Sequence, residues 1–173
     1  MPHLRSEPPK ALVIHCIDPR FQKAFDEFIH EKLGLDEGEY IPLLVPGGIA
    51  SVGMGISEFL PKNHKVLREQ IQLALEVYQA QEPRVILINH EDCRAYASLM
   101  KKLPSFAIHG MTMLTRQMDD LKVASTLIEQ ITEKTSRRAT FELYMARIGK
   151  TGEIVSERIA CVAGLYGVIT FEV

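Results

Sequence analysis

Two apolar runs in this chain stop in the same way, and together they restrict the fold more than any other feature. Val13-Ile14-His15-Cys16-Ile17-Asp18-Pro19-Arg20 passes from aliphatic residues to a thiol, a carboxylate and a guanidinium. Arg84-Val85-Ile86-Leu87-Ile88-Asn89-His90-Glu91-Asp92-Cys93 passes from aliphatic residues to an imidazole, two carboxylates and a thiol. Short continuous apolar runs of this kind read as strands buried on both faces, which is how parallel sheets are built. Open parallel sheets place their ligands beyond the carboxyl ends of the strands. Cys16, His90 and Cys93 therefore fall where such a sheet puts a site.

The rest of the chain supports strand and helix alternation. Residues 11–17 form the first strand. Pro19 suits the first turn of a helix, where a missing N–H costs little. Phe21, Phe25, Phe28, Ile29 and Leu33 follow at helical spacing, and Gly34 ends that helix. Residues 40–45 form a second strand, and Pro42 puts it at an edge. A glycine-rich loop, residues 46–55, comes next. Asn63 is placed to cap a helix running to about residue 80. Pro83 opens the third strand, and a short helix follows Cys93 to about residue 103. A long helix over residues 112–135 carries Leu114, Met118, Leu121, Ala124, Leu127, Ile128 and Ile131 on one stripe. Residues 140–148 form the fourth strand. Gly149-Lys150-Thr151-Gly152 turns the chain into an antiparallel return over residues 154–162, and residues 168–173 are expected as a last short strand. The expected fold is α/β: one domain with a mostly parallel four-stranded open sheet, an antiparallel edge strand and helices on both faces. Residues 1–10 read as an extended or disordered arm and 11–173 as a single α/β domain.

At 173 residues the chain is long enough for one substantial core. Its net charge of -2 gives no basic footprint for nucleic acid and no polybasic membrane patch. The first residues lack an apolar signal region, and no apolar run approaches the ~18 residues that span a bilayer, so a cytoplasmic location is expected. Three cysteines do not make a disulfide scaffold. Metal binding and simple burial are the open readings for each, with burial favoured for Cys161.

Two thiolates and an imidazole suit zinc. His90 and Cys93 are three apart, so one turn at a helix start can present both, while Cys16 comes from another strand. Three protein ligands leave a fourth position open, the pattern of a catalytic zinc, whose bound water can lose a proton near pH ~7. His15 is a rival ligand, but on a strand it faces opposite to Cys16, which favours a supporting role. Asp18 is close enough in sequence to reach the open position or its water, with Arg20 holding it by a bidentate pair. The competing reading makes Asp18 a helix cap and Arg20 a surface side chain.

These residues resemble the β-class carbonic anhydrases. That family carries C-x-D-x-R after its first strand and H-x-x-C after its third, matched here by Cys16-Ile17-Asp18-Pro19-Arg20 and His90-Glu91-Asp92-Cys93. The resemblance spans most of residues 11–162 and includes the glycine loop and the late hairpin. It implies a Zn2+ ion on Cys16, His90 and Cys93, an Asp18–Arg20 catalytic dyad, reversible hydration of carbon dioxide to bicarbonate through a zinc-bound hydroxide, and a homodimer or larger homo-oligomer. Departures are visible. The family's R-N-A-G loop is replaced by Val45-Pro46-Gly47-Gly48, Arg94 stands where a glycine usually follows the second cysteine, and with only residues 1–10 before the first strand the helices that usually precede it are not expected. Gly47, Gly48 and Arg94 are candidates for the substrate pocket. The two glycines either bring backbone N–H groups to an anion or simply make a turn. Arg94 either crowds the pocket, supplies a cation or points to solvent. Tyr96 and His109 are near enough in sequence to line a pocket, although core or surface placement fits both. Two other functions stay open: a zinc hydrolase of another small electrophile, of the carbonyl sulfide or carbon disulfide type, and a non-catalytic zinc-stabilised binding domain. A redox role lacks a C-x-x-C pair, and no phosphate-binding fingerprint supports nucleotide binding.

Overall fold

The computed structural model describes residues 7–53, 60–77, 82–102, 111–134, 138–162 and 165–168, with side chains described as far as residue 159. The elements are β1 (Ala11–Cys16), α1 (Gln22–Glu27), β2 (Tyr40–Val45), α2 (Pro61–Val77), β3 (Arg84–His90), α3 (Arg94–Lys102), α4 (Met113–Lys134), β4 (Thr140–Ile148), β5 (Ile154–Val162) and β6 (Leu165–Val168). They build one sheet in the order β2-β1-β3-β4-β5-β6. The first four strands are mutually parallel, and β5 and β6 each run antiparallel to the strand before. The parallel four-strand sheet and its antiparallel return are as the sequence predicts. A sixth strand, Leu165–Val168, makes the antiparallel margin two strands wide among the described residues, and the short strand expected over residues 168–173 lies, beyond Val168, outside the described residues.

Alternation along the central strands divides the apolar residues between two faces. Leu12, Ile14, Val85, Leu87, Leu143 and Met145 pack with Leu67, Ile71 and Leu75 of α2 and with Leu121, Ala124, Ile128 and Ile131 of α4. Ala11, Val13, Ile86, Ile88, Tyr144 and Ala146 pack on the other face with Phe21, Phe25, Ile29, Leu33 and Leu35. The central strands β1 and β3 are buried almost throughout, as their sequences require. β2 lies at the edge, where Pro42 does not interrupt a ladder on its outer side.

Three local expectations need correction. Residues 19–21 form a turn and α1 starts only at Gln22, so Pro19 lies outside the helix. Beyond Glu27 the expected single helix widens into a π-helical turn, Phe28–Lys32, closed by the Leu33 N–H donating to the Phe28 carbonyl at 3.1 Å. The wider turn lets Phe25, Ile29 and Leu33 reach one core before Gly34 (φ +65°) ends the element, and Leu35 joins them just beyond it. Third, Asn63 does not cap α2, which begins at Pro61, because proline fits an N-terminal helical position. Thr112 does cap α4, its hydroxyl accepting the Thr115 N–H at 3.1 Å.

Leaving β1 the chain goes to β2 on one side, then crosses over to β3 on the other. The carboxyl ends of β1 and β3 thus flank a topological switch point, the crevice where open α/β sheets hold ligands.

Candidate metal centre

Cys16 is the last residue of β1 and His90 the last of β3. Cys93 follows one tight turn later and accepts the Ala97 N–H at its carbonyl, opening α3. The three side chains converge: one donor atom from each lies within 4.8 Å of the others, and all three residues are buried. The sulfurs of Cys16 and Cys93 are 3.9 Å apart, and both cysteines are free thiols.

Surrounding contacts orient each donor. The His90 ring stacks against Phe21 at 4.1 Å between centroids, and its Nδ1–H donates to the Glu91 carbonyl at 2.8 Å. That hydrogen bond leaves the lone pair on Nε2, which is buried and has no hydrogen-bond partner. Cys16 Sγ accepts the Gly47 N–H at 3.3 Å. A hydrogen bond from Cys93 pulls the Cys16 thiol below its usual value against the opposing effect of burial, with help from His90 and the amides of Asp18 and Gly47. Cys93 is pushed up, because it donates to Cys16 and is itself buried. Ionising both buried sulfurs at this separation would require a cation between them, and the unpartnered imidazole nitrogen beside them could serve as a third ligand. The donor set fits a thiophilic, imidazole-accepting metal such as zinc.

Asp18 sits beside this group, nearly buried at 8% exposure. Its two oxygens accept Arg20 Nε–H and Nη2–H at 3.0 and 2.7 Å, and one also accepts the Arg20 backbone N–H at 3.1 Å. The fork-to-fork hydrogen bonding with Arg20 holds the Asp18 carboxyl down at about 2, so it is ionised at neutral pH. The carboxylate therefore caps a backbone amide and pairs with a guanidinium at once. Arg20 also reaches Asp92, in the turn between His90 and Cys93. Gln22 ties the end of β1 to this turn by donating to the carbonyls of Cys16 and Asp18, both at 2.9 Å.

The glycine loop enters as a short 3₁₀ turn, Gly48–Val52. Gly47 and Gly48 both have left-handed backbone (φ +78° and +57°), and the Gly47 amide is directed at the Cys16 sulfur. Arg94 is exposed at the start of α3. His15 is buried on the opposite side of β1 from Cys16, tilted against Phe25 at 4.8 Å, with Nδ1 donating to the Cys16 carbonyl at 3.1 Å. Tyr96 is buried and accepts the Asn89 amide at 3.2 Å. His109 and the side chain of Cys161 lie outside the described residues.

Beneath the glycine loop lies a polar cluster not foreseen from the sequence. Asn89 also donates to the Gln117 carbonyl at 3.2 Å, and the fully buried Arg116 and Asp120 form an ion pair at 3.0 Å. The Asp120 carboxylate presses against Gly53, where a Cβ would meet it at 2.4 Å. The i, i+4 spacing of Arg116 and Asp120 was a visible signal, although it usually marks an exposed helix pair.

No protein-family model matches the sequence, and no curated protein matches it. Among solved structures the chain is similar to beta-carbonic anhydrase isoform I from the protozoan Trichomonas vaginalis, with a TM-score of 0.53 and 15% sequence identity. That match covers 90% of this chain and 86% of the other, and it shows a shared α/β fold.

Proposed function

We propose that this chain is a zinc-dependent lyase of the carbonic anhydrase kind, hydrating carbon dioxide reversibly to bicarbonate and a proton. The observation that carries the reading is the unpartnered, buried Nε2 of His90 beside two thiol sulfurs at the switch point of the sheet. Cys16, His90 and Cys93 would hold the metal. Zinc supplies Lewis acidity that makes water nucleophilic near neutral pH.

The chain's own residues supply the rest. Asp18, kept ionised by Arg20, is an acceptor that orients a water's O–H and so aims its oxygen lone pair at the carbon of carbon dioxide. Arg20 is already committed to Asp18 and does not need to touch substrate. Gly47 and Gly48 form the backbone wall of the pocket in this reading, and exposed Arg94 is the cation available to departing bicarbonate. The rest of the proposal is a single α/β zinc-binding domain over residues 11–173 preceded by an arm at residues 1–10, a cytoplasmic location and a homodimer or larger homo-oligomer. Among the described residues no helix is long and apolar enough to cross a membrane.

Stopped-flow hydration of carbon dioxide by zinc-loaded protein tests the reading, with metal content measured in parallel. About one zinc per chain is expected from a single three-ligand centre, with most of it lost in Cys93→Ala and His90→Ala. Hydration no faster than buffer at every pH from about 6 to 9, where such a centre should be active, would remove the catalytic assignment.

A further inference from the structure

Among the described non-glycine residues, Asp92 alone has a positive φ, at 53°. Left-handed backbone is uncommon outside glycine, and aspartate and asparagine are the residues that tolerate it best. The turn it forms joins His90 to Cys93, and it delivers two acceptors to one partner. Arg20 Nη1–H donates to Asp92 Oδ2 at 2.6 Å, and Arg20 Nη2–H donates to the Asp92 carbonyl at 2.8 Å. Asp92 is 62% exposed, so this ion pair adds little to folding stability. Its consequence is geometric. Asp18 grips one edge of the guanidinium from the turn after β1, and Asp92 grips the other from the turn after β3. A planar guanidinium held on two edges has almost no rotational freedom left.

We infer that Asp92 is a positioning residue: it anchors Arg20 from the second ligand-bearing turn, so that the Asp18 carboxylate stays on Arg20 and does not swing to the metal. The inference rests on the metal-site reading above. Carboxylate oxygen is an acceptable zinc ligand, so a released Asp18 would compete for the open position that exogenous ligands use. Asparagine at position 92 keeps the backbone conformation and one acceptor. Glycine keeps the backbone conformation and the carbonyl contact but loses the side chain.

Azide titration of cobalt-loaded protein, followed by its visible absorption, reads occupation of that position without reference to turnover. Asp92→Gly should weaken azide binding by about tenfold and lower kcat by a similar factor, the scale of one lost charge-assisted hydrogen bond, with cobalt content unchanged. Asp92→Asn should recover part of both losses. In an Asp18→Asn background, adding Asp92→Gly should leave azide affinity where Asp18→Asn alone puts it. Azide affinity and kcat both unchanged in Asp92→Gly would reduce Asp92 to a turn residue. An equal loss of azide affinity with and without Asp18 would overturn the route through Asp18. If the azide coupling holds but wild type hydrates no carbon dioxide, the positioning role stands and the catalytic assignment falls. If wild type takes up no cobalt, both fall.

Discussion

Gly48→Ala offers a sharp test of how the glycine loop is seated against the metal centre. Gly48 has φ +57°, and an added Cβ would lie 2.8 Å from Asn89 Oδ1 and 3.4 Å from the Ile88 carbonyl. The left-handed backbone alone costs an alanine ~1–2 kcal/mol. The steric clash adds ~1–3 kcal/mol, because the Asn89 amide is tied to both Tyr96 and the Gln117 carbonyl and has no easy retreat. A total of about 3 kcal/mol corresponds to a fall in Tm of roughly 6–12 °C for a chain of this length. Gly34→Ala is the matched control: its φ is +65°, but nothing lies within 4 Å of the added carbon. It should lose only the backbone share, about 1 kcal/mol. Thermal unfolding of both variants, metal-free, isolates the contact with Asn89. If the two melt within ~2 °C of each other, the seating of Gly48 on Asn89 is wrong, since the steric share alone should exceed that.

Other outcomes follow from the same contacts. Chelation should lower the Tm of metal-loaded wild type and leave His90→Ala unmoved, because a ligand bound only by the folded state adds stability by mass action; an equal response in both would relocate the metal. Asp120→Ala should cost about 3–5 kcal/mol by removing the carboxylate that pairs with the buried Arg116 guanidinium, and adding Arg116→Met should restore part of it, measured by urea denaturation. A double variant less stable than the single would show that Arg116 does not depend on Asp120. Burial opposes ionisation of Glu142, but hydrogen bonds from Arg84 and Tyr144 outweigh it and hold its carboxyl below the ordinary 4.5. Its contribution to stability is therefore complete above that value and is lost as the pH falls below it. The stability gap between wild type and Glu142→Gln should narrow on going from neutral pH to about 3.5, and a constant gap would contradict the pairing.

Patterns that depend on one element at a time were legible in the sequence. The apolar runs of β1 and β3 gave strands, Pro42 gave the edge position of β2, and β4 occupies the expected residues 140–148. The convergence of Cys16, His90 and Cys93 followed from placing two strand ends side by side. What was missed depends on contacts across the fold. The stripe on α4 correctly marked Leu121, Ala124, Ile128 and Ile131, yet the same helix also buries Arg116, Gln117, Asp120 and Thr132. Helical periodicity marks an apolar face and gives no sign that polar residues at its margin are enclosed by a loop from elsewhere. Asp92 was overlooked for a related reason: its partner Arg20 is 72 residues away. The π-helical turn after α1 answers to core shape rather than to local propensity, so residues 22–33 looked like a plain helix.

The separation along the chain of the three side chains of the candidate metal centre bears on how the protein assembles. His90 and Cys93 are neighbours in any conformation, whereas Cys16 is 77 residues from Cys93 and meets it only when β3 has docked beside β1. Closing so long a loop is entropically slow to repay, and parallel pairing is among the slower events of folding. During synthesis β1 can pair with β2 early, but Cys16 must wait for the other two side chains until the third strand has left the ribosome. A metal captured early would be gripped by the local pair alone, with Cys16 arriving as the last ligand. Whatever affinity that two-residue grip has for metal in the unfolded chain would subtract from the stabilisation a bound metal would give the native state.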